Sequence, residues 1–295
     1  MIVLMFIGVL IAIQIVGVVY KSFGTLSGDN TRALPVFMAV WAGGLGAVFF
    51  VVSVISNGGF DVSAVTLMAA IFAGFSFAVG GILYIRTLSI GSFIWSALMM
   101  NLSNFIPVVY SLVFLGESIT PAQIVGVFVI MSILFVMSLK TKTGDKPFTT
   151  QWLVLALIMM LGNAGIVSAQ KTQAHFMDGL QTIEFLALMF LFTSVFSLLW
   201  LAFSRLFGGK NQAQRVPVLP LLKLSITMAT MLGIANMLNM ILMRYVTAAV
   251  QFPIGVGGGI VLSAIVGVKL YHEKPTWRLY LSIGMLIVGV VLLGI

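Results

Sequence analysis

Cysteine is absent from this chain, and charge is scarce. Only 7% of its 295 residues are Asp, Glu, Lys or Arg. A soluble domain carries about a quarter charged residues. So few charges cannot cover a water-facing surface, which excludes an ordinary soluble enzyme or binding module. Without cysteine there are no disulfides, thiolate metal sites or cysteine nucleophiles. The two histidines, His175 and His272, fall in loops without metal-spaced partners. There is no Walker-type glycine loop, so ATP does not drive the protein directly, and no HExxH. Paired intramembrane aspartates are also missing, so no catalytic constellation and no cofactor are expected. What is abundant is apolar: 61% of residues are hydrophobic and the mean hydropathy is +1.18. The net charge of +8 is spread over short loops. It is therefore a topology signal rather than a nucleic-acid surface.

A lipid core about 30 Å thick needs roughly 20 apolar residues per helix. Continuous runs, rather than short alternating segments, favour helices over a β-barrel. Ten spans are expected, near 2–20, 34–55, 63–85, 90–115, 121–139, 151–173, 182–207, 218–243, 247–271 and 275–294. Met1 to Tyr20 lacks a basic leader region and a small-residue cleavage site, so it reads as the first span and not as a signal peptide. The expected class is an all-α integral membrane protein in the cell (inner or plasma) membrane.

Of the 15 Lys and Arg residues, 13 fall in or beside the odd-numbered gaps between spans, leaving Lys171 and Arg244 in the even-numbered ones. With ten spans, both termini lie opposite the odd-numbered gaps. The positive-inside rule then puts both termini outside, in the periplasm or extracellular space.

The chain also repeats. Leu83-Tyr-Ile-Arg86 matches Ile241-Leu-Met-Arg244. Glu117 and Glu273 each follow about 30 residues later, before Pro121 and Pro275. Five spans per copy is an odd number, so the second copy is inverted in the membrane. The expected units are residues 1–145 and 146–295. Inverted repeats place a binding site near the midplane where the halves meet.

The stretch Pro107…Phe-Leu-Gly116-Glu117-Ser-Ile-Thr-Pro121…Gly126 resembles the end of an EamA-type unit in the drug/metabolite transporter superfamily. Length, span count and two-copy layout agree with that resemblance. The chain departs from it in three ways. Pro107 lies nearer Glu117 than is usual there. The second copy reads Tyr271-His-Glu273-Lys-Pro275 without the Leu-Gly. Familiar ten-span members also keep both termini in the cytoplasm. The resemblance implies a secondary transporter working by alternating access, with a cavity lined mainly by the first, third, fourth, sixth, eighth and ninth spans.

Most mid-span amides fall on that set: Gln14, Asn101, Asn104, Asn163, Gln170, Asn236, Asn239 and Gln251. Asn101 and Asn104 are three apart, hence on one helical face; Asn163 and Gln170 are seven apart, again on one face. Such amides either line a polar cavity or bond neighbouring helices together. The ninth span, Gln251-Phe-Pro253-Ile-Gly255-Val-Gly257-Gly258-Gly259, is rich in helix-weakening residues. It either unwinds to offer backbone groups to a substrate or packs closely through its glycines.

Arg86, Glu117, Arg244 and Glu273 form a second set. Inversion places Arg86 and Glu273 on one face, and Arg244 and Glu117 on the other. Each pair is a candidate latch. The simpler role for the acids is capping, with Thr120-Pro121-Ala-Gln123 resembling a capping box. No charged side chain is expected at mid-depth, which points to an uncharged or zwitterionic solute. A small polar organic solute such as an amino acid is the expected cargo. Multidrug efflux, a non-transporting membrane subunit and a lipid-headgroup flippase are the alternatives. Proton coupling stays open, as does the choice between monomer and homodimer.

Reporter fusions at both ends test the charge argument. Both termini should report an external location; cytoplasmic signal from either would overturn the orientation.

Overall fold

In hydrocarbon, every backbone N–H and C=O needs a partner within the protein, and the helix supplies one locally. The computed structural model accordingly is all-helical. It describes residues 2–28, 30, 32–116, 120–138, 149–177, 180–207, 216–245, 248–274 and 277–293. Among them are eleven helices: α1 (Ile2–Ser27), α2 (Ala33–Asn57), α3 (Ala64–Ile90), α4 (Phe93–Leu102), α5 (Phe105–Phe114), α6 (Pro121–Ser138), α7 (Thr150–Met177), α8 (Thr182–Phe207), α9 (Val218–Tyr245), α10 (Ala248–Tyr271) and α11 (Trp277–Leu293). Six of these, α1, α2, α3, α7, α8 and α9, are long and apolar enough to cross a membrane. Large apolar side chains face outwards, such as Ile55 and Leu206, which are 77% and 79% exposed. In water such a surface would aggregate; in lipid it is the ordinary exterior.

The structure corrects the expected course of the fourth span. Instead of one helix over 90–115, α4 and α5 are separated by a turn at Ser103 and Asn104. Pro107 explains the break, because it has no N–H to give the carbonyl four residues back. The chain tightens there: Asn104 N bonds Asn101 O at 3.2 Å, and Ile106 N bonds Ser103 O at 3.2 Å. The ninth span behaves the other way. Despite Pro253 and its glycines, α10 runs unbroken from Ala248 to Tyr271. Two of those glycines instead meet neighbours. A Cβ on Gly258 would lie 2.8 Å from Leu10 Cδ1, and one on Gly259 would lie 3.0 Å from Asn101 Oδ1. A Cβ on Gly255 or Gly257 would meet nothing within 4 Å, so close packing describes Gly258 and Gly259 alone.

The helices pair across the two halves of the chain: α3 with α7, α1 with α9, α2 with α8, α6 with α11 and α4 with α10. Lipid tails are as apolar as leucine, so association rests on close fit and on polar bonds between helices. Glycine provides the fit. A Cβ on Gly46 of α2 would lie 2.8 Å from Leu191 N of α8. One on Gly162 of α7 would lie 2.7 Å from Gly80 Cα and 3.0 Å from Ser76 O of α3. Beside these contacts Trp41, 1% exposed, meets Phe77 and Phe190 edge-on at 5.5 and 5.9 Å.

A polar bond also ties α2 to α8. Glu184, in the first turn of α8, is 5% exposed. Its Oε1 accepts from Ser53 Oγ at 2.6 Å and Asn57 Nδ2 at 2.5 Å. The helix N-terminus favours a carboxylate there.

Gly162→Ala should therefore destabilise the protein by about 1–3 kcal/mol, because the clash is with backbone. Gly44→Ala, with nothing within 4 Å of the new methyl, should cost nothing. Thermal unfolding in detergent separates the two, and equal melting temperatures would refute the tight α3–α7 contact.

Candidate functional site

An amide side chain on an apolar helix must turn to another part of the protein for its hydrogen bonds. Here seven of the eight candidate amides turn to one place. A cavity of about 250 Å³ is lined by Gln14 from α1, Asn101 and Asn104 from α4 and its end, Asn163 and Gln170 from α7, and Asn236 and Asn239 from α9. The side chain of Gln251 lies outside the described residues. α3 and α10 complete the wall through Phe77, Gly80, Gly81, Tyr84, Gly255, Val256, Gly259 and Ser263.

The α4–α5 break sits inside this cavity, between Asn101 and Asn104. Ser103 Oγ donates to Met100 O at 2.5 Å and accepts from Asn163 Nδ2 of α7 at 2.5 Å. The interrupted helix is thus tied to the second half of the chain at its weak point. Gln14 does the same for α1. Its Nε2 donates to Gly259 O at 3.0 Å, while its Oε1 accepts from Ser263 Oγ at 3.0 Å. Gln14 is 8% exposed, so both ends of its amide are used on α10. Gln170 Nε2 reaches Asn236 Oδ1 at 3.2 Å, joining α7 to α9. The amides therefore bond helices together and line a cavity at once; the two readings of them are not exclusive.

The other half of the wall is aromatic, and the amide pattern gave no hint of it. Tyr20, Phe77, Tyr84 and Phe93 line the cavity. Tyr20 and Tyr84 meet edge-on at 5.6 Å. Phe93 stacks on Tyr271 at 5.0 Å, and Lys21 Nζ lies 4.0 Å from the centre of the Tyr271 ring. In sequence these aromatics look like ordinary core residues. The one available signal is that Tyr20 precedes a lysine inside an apolar run.

Glu273 closes this end of the bundle. Its Oε1 pairs with Lys21 Nζ at 3.1 Å. The same carboxylate accepts from Phe93 N at 2.5 Å, Ile94 N at 3.0 Å and Ser92 Oγ at 2.6 Å. It therefore caps α4, 180 residues away. Its cation is Lys21 and not Arg86; among the described residues the ion pair is Lys21–Glu273. Lys21 was expected beyond the first span, but α1 continues to Ser27 and carries it inside the helix. The two side chains are 16% and 15% exposed, so they are shielded from solvent. Glu117 lies outside the described residues, and so does the side chain of Arg244. The second expected pair therefore has no geometry to set beside the first.

No protein-family profile and no curated protein matches the chain. Solved structures do: 21 chains match. One is a crystal structure of a protein 16% identical in sequence, with a TM-score of 0.62 over 98% of this chain and 94% of that one. At that identity the likeness concerns the fold alone.

Glu273→Ala should cost about 2 kcal/mol, since it removes the α4 cap and charge-assisted hydrogen bonds together. Lys21→Ala should cost less, because the three bonds to α4 survive it. Denaturant or thermal unfolding of both single variants and the double variant checks the order. A larger loss from Lys21→Ala would reverse the assignment.

Proposed function

We propose that this protein is a secondary transporter of the EamA-like drug/metabolite type, moving a small polar organic solute by alternating access. The observation that carries the reading is the convergence of seven amides, from both halves of the chain, on one cavity with no charged residue among its described lining. Transporters built from inverted repeats hold substrate at the repeat interface, often beside an interrupted helix. The turn at Ser103 and Asn104 is such an interruption.

The pairing of helices supports two five-span units, 1–145 and 146–295. Take α4 and α5 as one span and exchange each span with its counterpart in the other unit. The α3–α7 contact then becomes α9–α1, and α3–α8 becomes α9–α2. The α2–α8, α4–α10 and α6–α11 contacts map onto themselves. All of these contacts occur.

In this reading the Lys21–Glu273 knot closes one face of the cavity, with Phe93 and Tyr271 stacked beneath it. The Lys and Arg distribution makes that face the cytoplasmic one, so the conformation is shut towards the cytoplasm. A cavity of about 250 Å³ falls below the 300–1,000 Å³ typical of drug-sized sites. That favours a metabolite over a bulky drug.

Asn104→Ala and Asn239→Ala test the cavity. Each removes a hydrogen bond worth about 1 kcal/mol, so apparent affinity should fall roughly fivefold per substitution. Solute exchange in proteoliposomes, screened over amino acids and related metabolites with and without a proton gradient, measures it. If exchange of every transported solute survives both substitutions unchanged, the amides do not serve the substrate.

A further inference from the structure

The direction in which the cavity amides point deepens that reading to a substrate class, and the inference rests on it. In six of the seven, the NH₂ group already has a partner. Gln14 Nε2 donates to Gly259 O at 3.0 Å, Asn101 Nδ2 to Ala97 O at 2.8 Å and Asn104 Nδ2 to Asn101 O at 3.3 Å. Asn236 Nδ2 donates to Leu232 O at 2.9 Å. Asn163 and Gln170 donate to Ser103 Oγ and Asn236 Oδ1.

Four of these acceptors are backbone carbonyls, which accept and cannot donate. The nitrogen and oxygen of those amides therefore cannot be interchanged without losing the bond. With the nitrogens turned onto the backbone, the oxygens are turned away from it. Among the described residues, nothing donates to the side-chain oxygens of Asn101, Asn104, Asn163 or Gln170. None of the four is among the buried side-chain atoms sealed off without a partner, so each stays open to water or to a solute. The cavity thus holds four amide oxygens that a solute can satisfy.

The rest of the wall points the same way. Among the described residues, no Lys, Arg, His, Asp or Glu lines the cavity. An anion entering it would lose its hydration, while Lys21 at the closed end is already paired with Glu273 and Lys171, next to Gln170 in α7, donates to Ser111 Oγ at 2.7 Å. A positive group would find the amide oxygens and a wall that includes Tyr20, Tyr84, Phe77 and Phe93, whose aromatic rings attract cations. Each anchored NH₂ keeps one further hydrogen, so a neutral carbonyl on the solute is tolerated. Tyr20 also lines the cavity, and its hydroxyl is buried with no hydrogen-bond partner among the described residues.

We infer that the cavity selects solutes bearing several N–H or O–H donors and no net negative charge, such as amines, amides and amino alcohols, and rejects anions of the same size and shape.

Matched sets on one skeleton test this. For leucine, threonine and phenylalanine, the probes are the amino acid, its amide, its N-acetyl derivative and its N-acetyl amide. Binding to the purified protein is read by calorimetry and by thermal stabilisation in detergent. On each skeleton that binds, the amide should bind at least tenfold more tightly than the N-acetyl acid. Asn101→Ala should narrow that ratio. Tyr20→Phe should weaken the N-acetyl amide at least threefold. An N-acetyl acid that binds as tightly as its amide would overturn the inference, and so would a panel in which nothing binds.

Counterflow of the same probes in proteoliposomes separates this failure from failure of the transport reading. If N-acetyl acids move, transport stands and the donor rule falls. If amides bind but no probe moves, the donor rule stands and transport falls.

Discussion

A polar group inside a bilayer has no water to fall back on, so each must find its partner within the protein. That constraint governs this molecule from the backbone upwards. It makes the chain helical, because the helix satisfies its own N–H and C=O groups. It also decides what happens where the helix fails. Pro107 withholds a hydrogen bond from the middle of the bundle, and the local answer is a tightened turn at Ser103 and Asn104. Ser103 and Asn163 then bond across the gap to α7. The weak point of one half of the chain is held by the other half.

The same constraint shapes the ends of the cavity. Glu273 is costly to shield from water alone. It is stabilised by Lys21, by Ser92 and by the two backbone N–H groups that open α4. One carboxylate thus joins α1, α4 and the turn after α10. A junction built this way is polar and specific, whereas one built on leucine packing would gain little against lipid tails. Glycine supplies the remaining cohesion where α2 meets α8 and α3 meets α7, because there backbones approach too closely for any side chain.

On the transport reading proposed above, a cavity with amides on one side, aromatic rings on the other and no charged residue among its described lining suits a solute that passes through. Strong charge pairing would hold a ligand tightly, and a carrier must release what it binds. Modest amide bonds, each worth about a kcal/mol, give recognition that a conformational change can undo. Residues from both halves of the chain line the cavity, so in the proposed mechanism a movement of one half against the other would alter it.

The sequence by itself determined the class and much of the wall. Scarce charge and continuous apolar runs require membrane helices. Isolated amides such as Gln14, Asn101 and Asn163 stand out because lipid tolerates few of them. Tertiary structure decided the rest. Whether a proline or glycine breaks a helix depends on what packs against it. Pro107 opened α4–α5, while α10 stays one helix, with Gly258 and Gly259 packed against Leu10 and Asn101. Glu273 took Lys21 and the start of α4, neither near it in sequence. Tyr20, Phe77, Tyr84 and Phe93 became a cavity wall only once three helices met. Composition records what each residue costs in lipid; which partner meets that cost is fixed by the fold.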